Sequence, residues 1–227
     1  MSKQVVVIGL GHFGAALASI LHDTGYEVLA VDKDAELVES IAPHVTHAVK
    51  ADATQEAALH KLGINKFNVA VVTVGYSIQD SVMITILLKR MGVRYIVARA
   101  DNELHGAILE SIGAHKVIFP ERDTALRTGP VLTMEGVTDF IPLDRGSGIV
   151  KTKAPSYFIG KTLKDIGFTA DSSNGTVVLM IQRGREGIAN PSVDEVVSHI
   201  DVLIIAGNNV DIEKLLDQAE KNSGNKK

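Results

Sequence analysis

Six short runs of almost wholly apolar, mostly β-branched residues recur through the first 120 positions: Gln4–Ile8, Glu27–Val31, Val45–Val49, Val69–Thr73, Tyr95–Ala98 and Lys116–Phe119. Strands need such runs, without polar alternation, when both of their faces are covered, as in a parallel sheet. The segments between them have the helical period. Phe13, Ala16, Leu17, Ile20 and Leu21 fall on one helix face. Asp34–Ile41, Thr54–Leu62, Ser77–Met91 and Asn102–Ile112 are expected as the next helices. Gly25, Gly63, Gly92 and Gly113 stand just past four of these helices, where a chain leaving a helix turns left-handed. The alternation predicts an α/β fold with a doubly wound, Rossmann-type parallel sheet.

The pattern changes after residue 136. Strand-like runs at Val137–Leu143, Gly148–Lys153, Thr176–Ile181 and Val202–Ile205 are separated by turn-rich stretches such as Arg183-Gly184-Arg185-Glu186-Gly187. Short helices are expected at Thr162–Ile166 and Asp211–Ala219. This predicts a smaller α+β C-terminal domain. The expected organisation is a nucleotide-binding domain over 1–134, a second domain over 137–210 and a polar, disordered tail over 221–227. Glu121–Met134 reads as a helix interrupted by Gly129-Pro130, where proline calls for a kink or an end. The segment is either a helix terminus before a linker or a crossover helix between domains.

Bulk charge narrows the function classes. The net charge is −4, with 12 basic and 14 acidic residues in 1–134 and 11 and 13 in 135–227. Neither half has the positive surplus of a nucleic-acid or membrane-surface binder. The chain has no cysteine, which removes disulfides, thiolate metal sites and cysteine nucleophiles. The run Val5-Val6-Val7-Ile8 is too short for a signal-peptide core, and no apolar stretch approaches the ~20 residues that span a bilayer. A soluble, cytoplasmic chain with no direct membrane insertion is expected.

The chemistry concentrates at the ends of the strand runs. Gly9-Leu10-Gly11-His12-Phe13-Gly14 follows the first strand and opens the first helix, the context in which a G-x-G-x-x-G loop binds a dinucleotide. Gly9 permits the tight turn, Gly11 lets phosphate oxygens approach the backbone, and Gly14 lets helix and strand pack closely. The helix N-terminus offers N–H groups and partial positive charge to a phosphate. Asp32, 18 residues past Gly14 at the end of the second strand, suits the two ribose hydroxyls and would repel a 2′-phosphate. Asp32 and Asp34 could equally cap the helix that follows. Lys33 lies between them.

Asp52 and Ala53, in Ala51-Asp52-Ala53-Thr54 after the third strand, stand where an adenine edge would lie, although Asp52 or Thr54 could simply cap the next helix. Thr73, Val74 and Gly75, in Thr73-Val74-Gly75-Tyr76-Ser77, sit at the carboxyl edge after strand four, and Arg99 ends strand five at the same edge. Arg99 is a phosphate partner or a surface ion pair. Glu121, in Pro120-Glu121-Arg122-Asp123, is a ligand for a divalent cation beside a polyphosphate, or a first-turn acid that complements a helix dipole. His12 meets a terminal phosphate or a neighbouring subunit, or faces solvent. The other seven histidines show no zinc-ligand spacing, and no catalytic signature occurs.

These stretches, together with Ser77–Met91 and Asp201-Val202-Leu203-Ile204-Ile205-Ala206-Gly207, resemble the RCK family, the regulators of potassium conductance. Within it the chain is most similar to the cytoplasmic subunits of Ktr/Trk-type potassium uptake systems. The resemblance implies a homo-oligomer, commonly an octameric ring built from dimers, under a membrane potassium-translocating subunit at the inner face of the cell membrane. It implies ATP and ADP, or NADH and NAD in some members, as ligands that favour different ring shapes. It places a divalent cation, Mg2+ or Ca2+, at Glu121. In some members the C-terminal module binds cyclic di-AMP, for which Arg183, Asn190 and Pro191 are the candidates. Ktr-type subunits usually carry Arg where this chain has His12. Histidine is shorter and mostly neutral at pH 7, which bears on ATP selectivity.

Two other readings stand beside this one: an NAD-dependent oxidoreductase and a free-standing NAD(H) redox sensor. The oxidoreductase needs a substrate domain with a proton-transfer residue facing the nicotinamide. The residues after 136 show no such constellation, and the expectation is a regulator rather than an enzyme.

Overall fold

The computed structural model describes residues 4–75, 77–168 and 175–224. Tyr76 and residues 225–227 of the expected tail lie outside the described residues. The chain divides into two compact units, Met1–Glu121 and Arg122–Lys227.

In the first unit all six expected runs are strands: β1 (Gln4–Ile8), β2 (Glu27–Asp32), β3 (His47–Lys50), β4 (Val69–Val72), β5 (Tyr95–Arg99) and β6 (Lys116–Ile118). They form one parallel sheet in the order β3-β2-β1-β4-β5-β6. The packing explains why the runs lack polar alternation. Val5, Val7, Val28, Ala30 and Val71 point into one core, with Ala18 and Val38 from the helices. Val6, Ile8, Leu29, Val31, Ala70 and Val72 point into a second core, with Leu59, Leu88 and Leu109. Alternate residues thus serve opposite layers, and both layers are apolar.

The helices are α1 (His12–Asp23), α2 (Ala35–Ile41), α3 (Glu56–Lys61), α4 (Ile78–Arg90) and α5 (Glu103–Ser111). Asp34, Ser77 and Asn102 cap α2, α4 and α5 by accepting from the N–H groups of Glu36, Asp80 and His105. Gly25 leaves α1 at φ +89°, which brings the Tyr26 N–H back onto the Leu21 carbonyl at 3.1 Å. The expected cap at Thr54 is corrected: Gln55 is the N-cap of α3. The Thr54 hydroxyl donates to Asp52 instead, which tightens the turn before the helix.

Next comes α6 (Pro120–Thr133), which runs through Gly129 and Pro130 rather than ending there. Proline removes one amide donor from the ladder, and the following turn still closes through the Met134 N–H on the Pro130 carbonyl at 2.9 Å. None of the α6 residues is buried.

The second unit is an antiparallel sheet in the order β10-β9-β11-β8-β7. Its strands are β7 (Val137–Pro142), β8 (Ser147–Lys153), β9 (Thr176–Arg183), β10 (Glu186–Ala189) and β11 (Asp201–Asn208). The stretch read as turns holds a strand, because Gly184-Arg185 alone makes the turn and Glu186 already pairs with Arg183. Two helices accompany the sheet: α7 (Leu163–Ile166), with a Thr162/Asp165 capping box, and α8 (Asn209–Gly224). Helix α8 seals the core with Ile212, Leu216 and Ala219 against Val150, Phe158, Ile181 and Leu203. It continues to Gly224, so residues 221–224 are helical rather than tail.

Candidate nucleotide site

The sheet order reverses direction at the β1–β4 boundary, and there the carboxyl ends of the strands leave a crevice. The loop between β1 and α1 crosses it. Gly9 has φ +101° and donates to the Val31 carbonyl at 2.9 Å. A Cβ at Gly9 would meet the Val74 backbone nitrogen at 2.8 Å. The Thr73 hydroxyl donates to the carbonyls of Gly9 (2.6 Å) and Ile8 (3.1 Å), tying the loop to the end of β4. A Cβ on Gly14 would overlap the Gly9 carbonyl oxygen and reach the Thr73 hydroxyl at 2.5 Å. At Gly11 an added Cβ would meet nothing within 4 Å. Of the three glycines, Gly11 alone opens onto free space. It is also the N-cap of α1, with no side-chain capping bond and no acid in the first turn. Uncapped N–H groups and a positive dipole end beside open space make an anion site.

Asp32 is fixed beside this loop. Its carboxylate accepts from the Leu10 N–H at 2.6 Å and from the Asp34 N–H at 2.9 Å. Capping falls to Asp34, so Asp32 has lone pairs left for hydroxyls. Lys33 extends to Asp80 on the first turn of α4 (3.4 Å). Asp52 accepts from the Thr54 hydroxyl (2.7 Å) and N–H (3.0 Å), which hold its carboxyl below the usual carboxylate range. Ala53 is buried against the core, which leaves its backbone to line the edge. Phe13 is half-buried and His12 is exposed at the start of α1.

On the other side of the crevice, the Arg99 guanidinium lies against Gly75, with Cζ 2.8 Å from where a Cβ would sit. Arg99 donates to Glu121 at 2.8 Å and lies 3.3 Å from Asp101. The Arg99 side chain is only 19% exposed whereas that of Glu121 is 67% exposed, so the guanidinium alone is partly desolvated. Two expected site residues, Arg99 and Glu121, are therefore joined directly. Asp80, in the first turn of α4, and Asp101, two residues past the end of β5, are contributors the sequence did not single out. Among the described residues no group of three or more His, Asp or Glu side chains is placed to hold a metal. Glu121 could hold a cation only with further ligands from a bound nucleotide or another copy.

Residues 5–120 match the TrkA-N domain and residues 149–219 the TrkA-C domain. The chain is 36% identical to the Ktr system potassium uptake protein C of Bacillus subtilis over 214 residues, 94% of this chain and 96% of the relative. The chain belongs to the RCK-type TrkA-N/TrkA-C family. The RCK domain of GsuK shares the fold over 95% of this chain and 48% of that one, with a TM-score of 0.63 at 17% identity. GsuK bound to ADP matches 58% of this RCK chain and 34% of its own at 25% identity, with a TM-score of 0.51.

In the C-terminal half of this RCK chain, Arg183 is already committed. Its Nε and Nη2 grip Asp201 at 2.9 Å each, Nη1 binds Glu195 at 3.0 Å, and Nη2 also reaches the Val196 carbonyl. Asn190 takes φ +48° at the end of the β9–β10 hairpin, where its N–H bonds the Leu179 carbonyl. Pro191 follows it. The guanidinium offered to a second ligand is occupied within the fold, so that expectation gains no geometric support from Arg183.

Proposed function

We propose that this chain is a cytoplasmic, nucleotide-binding gating subunit of a potassium uptake system. The observation that carries the reading is the 36% identity to a Ktr uptake protein over nearly the full length of both chains. In this reading residues 1–134 form the nucleotide-binding half with α6 as crossover helix, 137–210 form the smaller regulatory half, and copies assemble as a dimer-based ring under a membrane subunit. Its role is regulatory rather than enzymatic.

The geometry supports one way of holding a nucleotide. The uncapped α1 terminus at Gly11 takes phosphate, Asp32 takes the ribose hydroxyls, and the Asp52-Ala53 backbone borders the adenine. Those contacts are common to ATP, ADP and NAD. Discrimination falls to groups farther along the phosphate chain: His12, Arg99, and a cation held in part by Glu121. A ligand shifts the ring only by its differential affinity for two shapes.

Asp32→Ala is expected to weaken ADP, ATP and NAD alike, roughly ten- to a hundredfold, the worth of hydrogen bonds to a charged group. Calorimetric titration of purified protein with ATP, ADP, NADH and NAD, with and without Mg2+ or Ca2+, checks this. Unchanged affinities would remove Asp32 from the site. Glu121→Gln should abolish a cation effect on ATP while sparing ADP, and His12→Ala should change the ATP/ADP ratio. Equal losses for both nucleotides in the His12 variant would overturn its assignment. A preference for NADH over the adenosine phosphates would make the chain a redox sensor. Failure to co-purify with a membrane potassium-translocating subunit would remove the gating role.

A further inference from the structure

The edge of the sheet opposite the nucleotide crevice, where the strands begin and the helices end, carries a concentration of cations that the chain's net charge of −4 conceals. Six Lys and Arg side chains are exposed there: Lys61, Lys66, Lys89, Arg90, Arg94 and Lys116. Their neighbours connect. Arg90 lies 3.8 Å from Glu56, whose other partner is His60 beside Lys61. The Lys89 stem lies against Gly113, two residues before His115. His115 stacks on Tyr95 at 5.5 Å, and Arg94 and Lys116 are the chain neighbours of this ring pair. Glu56 and Glu110 are the carboxylates beside these cations; exposed Asp23 and Glu27 stand farther along the same edge, at the end of α1 and the start of β2. Among the described residues none of Lys61, Lys66, Lys89, Arg94 and Lys116 forms an ion pair.

Helix dipoles account for part of this. Lys61, Lys89 and Arg90 stand in the last turns of α3 and α4, where cations are favoured. Arg94, just before β5, and Lys116, which begins β6, lie outside any helix. We propose that this edge docks on anionic phospholipid headgroups of a bilayer. The choice of a membrane over a nucleic acid rests on the potassium-uptake reading, which places the chain beside a bilayer. It also rests on the surface chemistry: Tyr95, 44% exposed at the centre of the patch, suits the headgroup boundary. Cytoplasmic loops of membrane proteins are themselves rich in Lys and Arg and would repel this edge, whereas the leaflet around them is negative. The crevice lies at the other end of the strands, so nucleotide and membrane can be bound together.

The test is co-sedimentation of the full chain with ADP present, using vesicles of phosphatidylcholine alone or with phosphatidylglycerol. Binding is expected only to the anionic vesicles at low salt, and it should fall steeply as the salt is raised. The triple variant Lys66→Glu, Arg94→Glu, Lys116→Glu should bind about a hundredfold more weakly, at roughly fivefold or more per basic residue. It should keep the wild-type ADP affinity, which shows that it folds. Binding that ignores lipid charge, no binding, or a variant that binds like wild type would overturn the proposal. So would tighter binding to an RNA or DNA oligonucleotide, or calorimetric binding of inorganic phosphate that the same triple variant removes. Failure here with intact ADP binding and co-purification would leave the gating reading standing. Loss of those two with vesicle binding retained would separate the two conclusions the other way.

Discussion

Gly14→Ala is expected to cost about 3 kcal/mol of stability and to take ADP binding below detection, at the upper end of what overpacking costs. The reason lies in three groups that meet where α1 crosses β1 and β4: the Gly9 carbonyl, the Thr73 hydroxyl that donates to it, and the bare Cα of Gly14. A methyl there overlaps a backbone oxygen that cannot rotate away, so α1 itself must move off the sheet. The N–H groups at the helix start then leave the place where phosphate would sit. Gly11→Ala is the control. Its φ of −59° suits alanine and its Cβ meets nothing in the protein, so the fold should be unaffected. The new methyl stands in the open space before the helix terminus, and nucleotide affinity should fall while stability does not. Urea denaturation and ADP calorimetry on both variants check the pair. If Gly14→Ala bound ADP normally, the site could not depend on close helix–strand packing.

The parallel half was legible because its signal is redundant. Val5–Ile8 has to be buried on both faces, and the two interleaved cores that Val5/Val7 and Val6/Ile8 enter are what such a run requires. The loop geometry of the candidate site was legible for the same kind of reason: Gly9, Gly11, Gly14 and Asp32 each answer a backbone demand set by spacing along the chain. Less local features were harder to read. The link between Arg99 and Glu121 joins residues 22 apart, and no local pattern encodes it. Strand β10 was hidden because an edge strand of four residues, Glu186–Ala189, buries little and shares its composition with turns. Pro130 left a kink or an end open, and α6 runs through it with one donor missing. The cluster of cations at the strand starts was invisible to bulk charge, because it is assembled from α3, α4, β5 and β6.

Arg183→Met is the second large effect, expected at about 3–5 kcal/mol, because it strands a buried charge. The Asp201 side chain is fully buried, gripped by two nitrogens of Arg183 and by the Ser198 N–H at 2.8 Å. The Arg183 hydrogen bonds lead in holding the Asp201 carboxyl below the usual carboxylate range, against the burial that raises it. A depressed carboxylate contributes stability that is present above its unfolded value, about 3.9, and is lost as pH falls through the folded one. In the methionine variant burial acts without the guanidinium, so Asp201 takes up its proton at higher pH. The stability gap between wild type and variant should therefore be widest near neutrality and narrow on acidification. Urea unfolding at fixed protein concentration across that pH range measures it. Replacing both partners, Arg183→Met with Asp201→Leu, should recover much of the loss, since no charge is then left buried. A gap that stayed constant with pH would show that Arg183 stabilises this unit through its contact with the Val196 carbonyl instead of through a carboxylate.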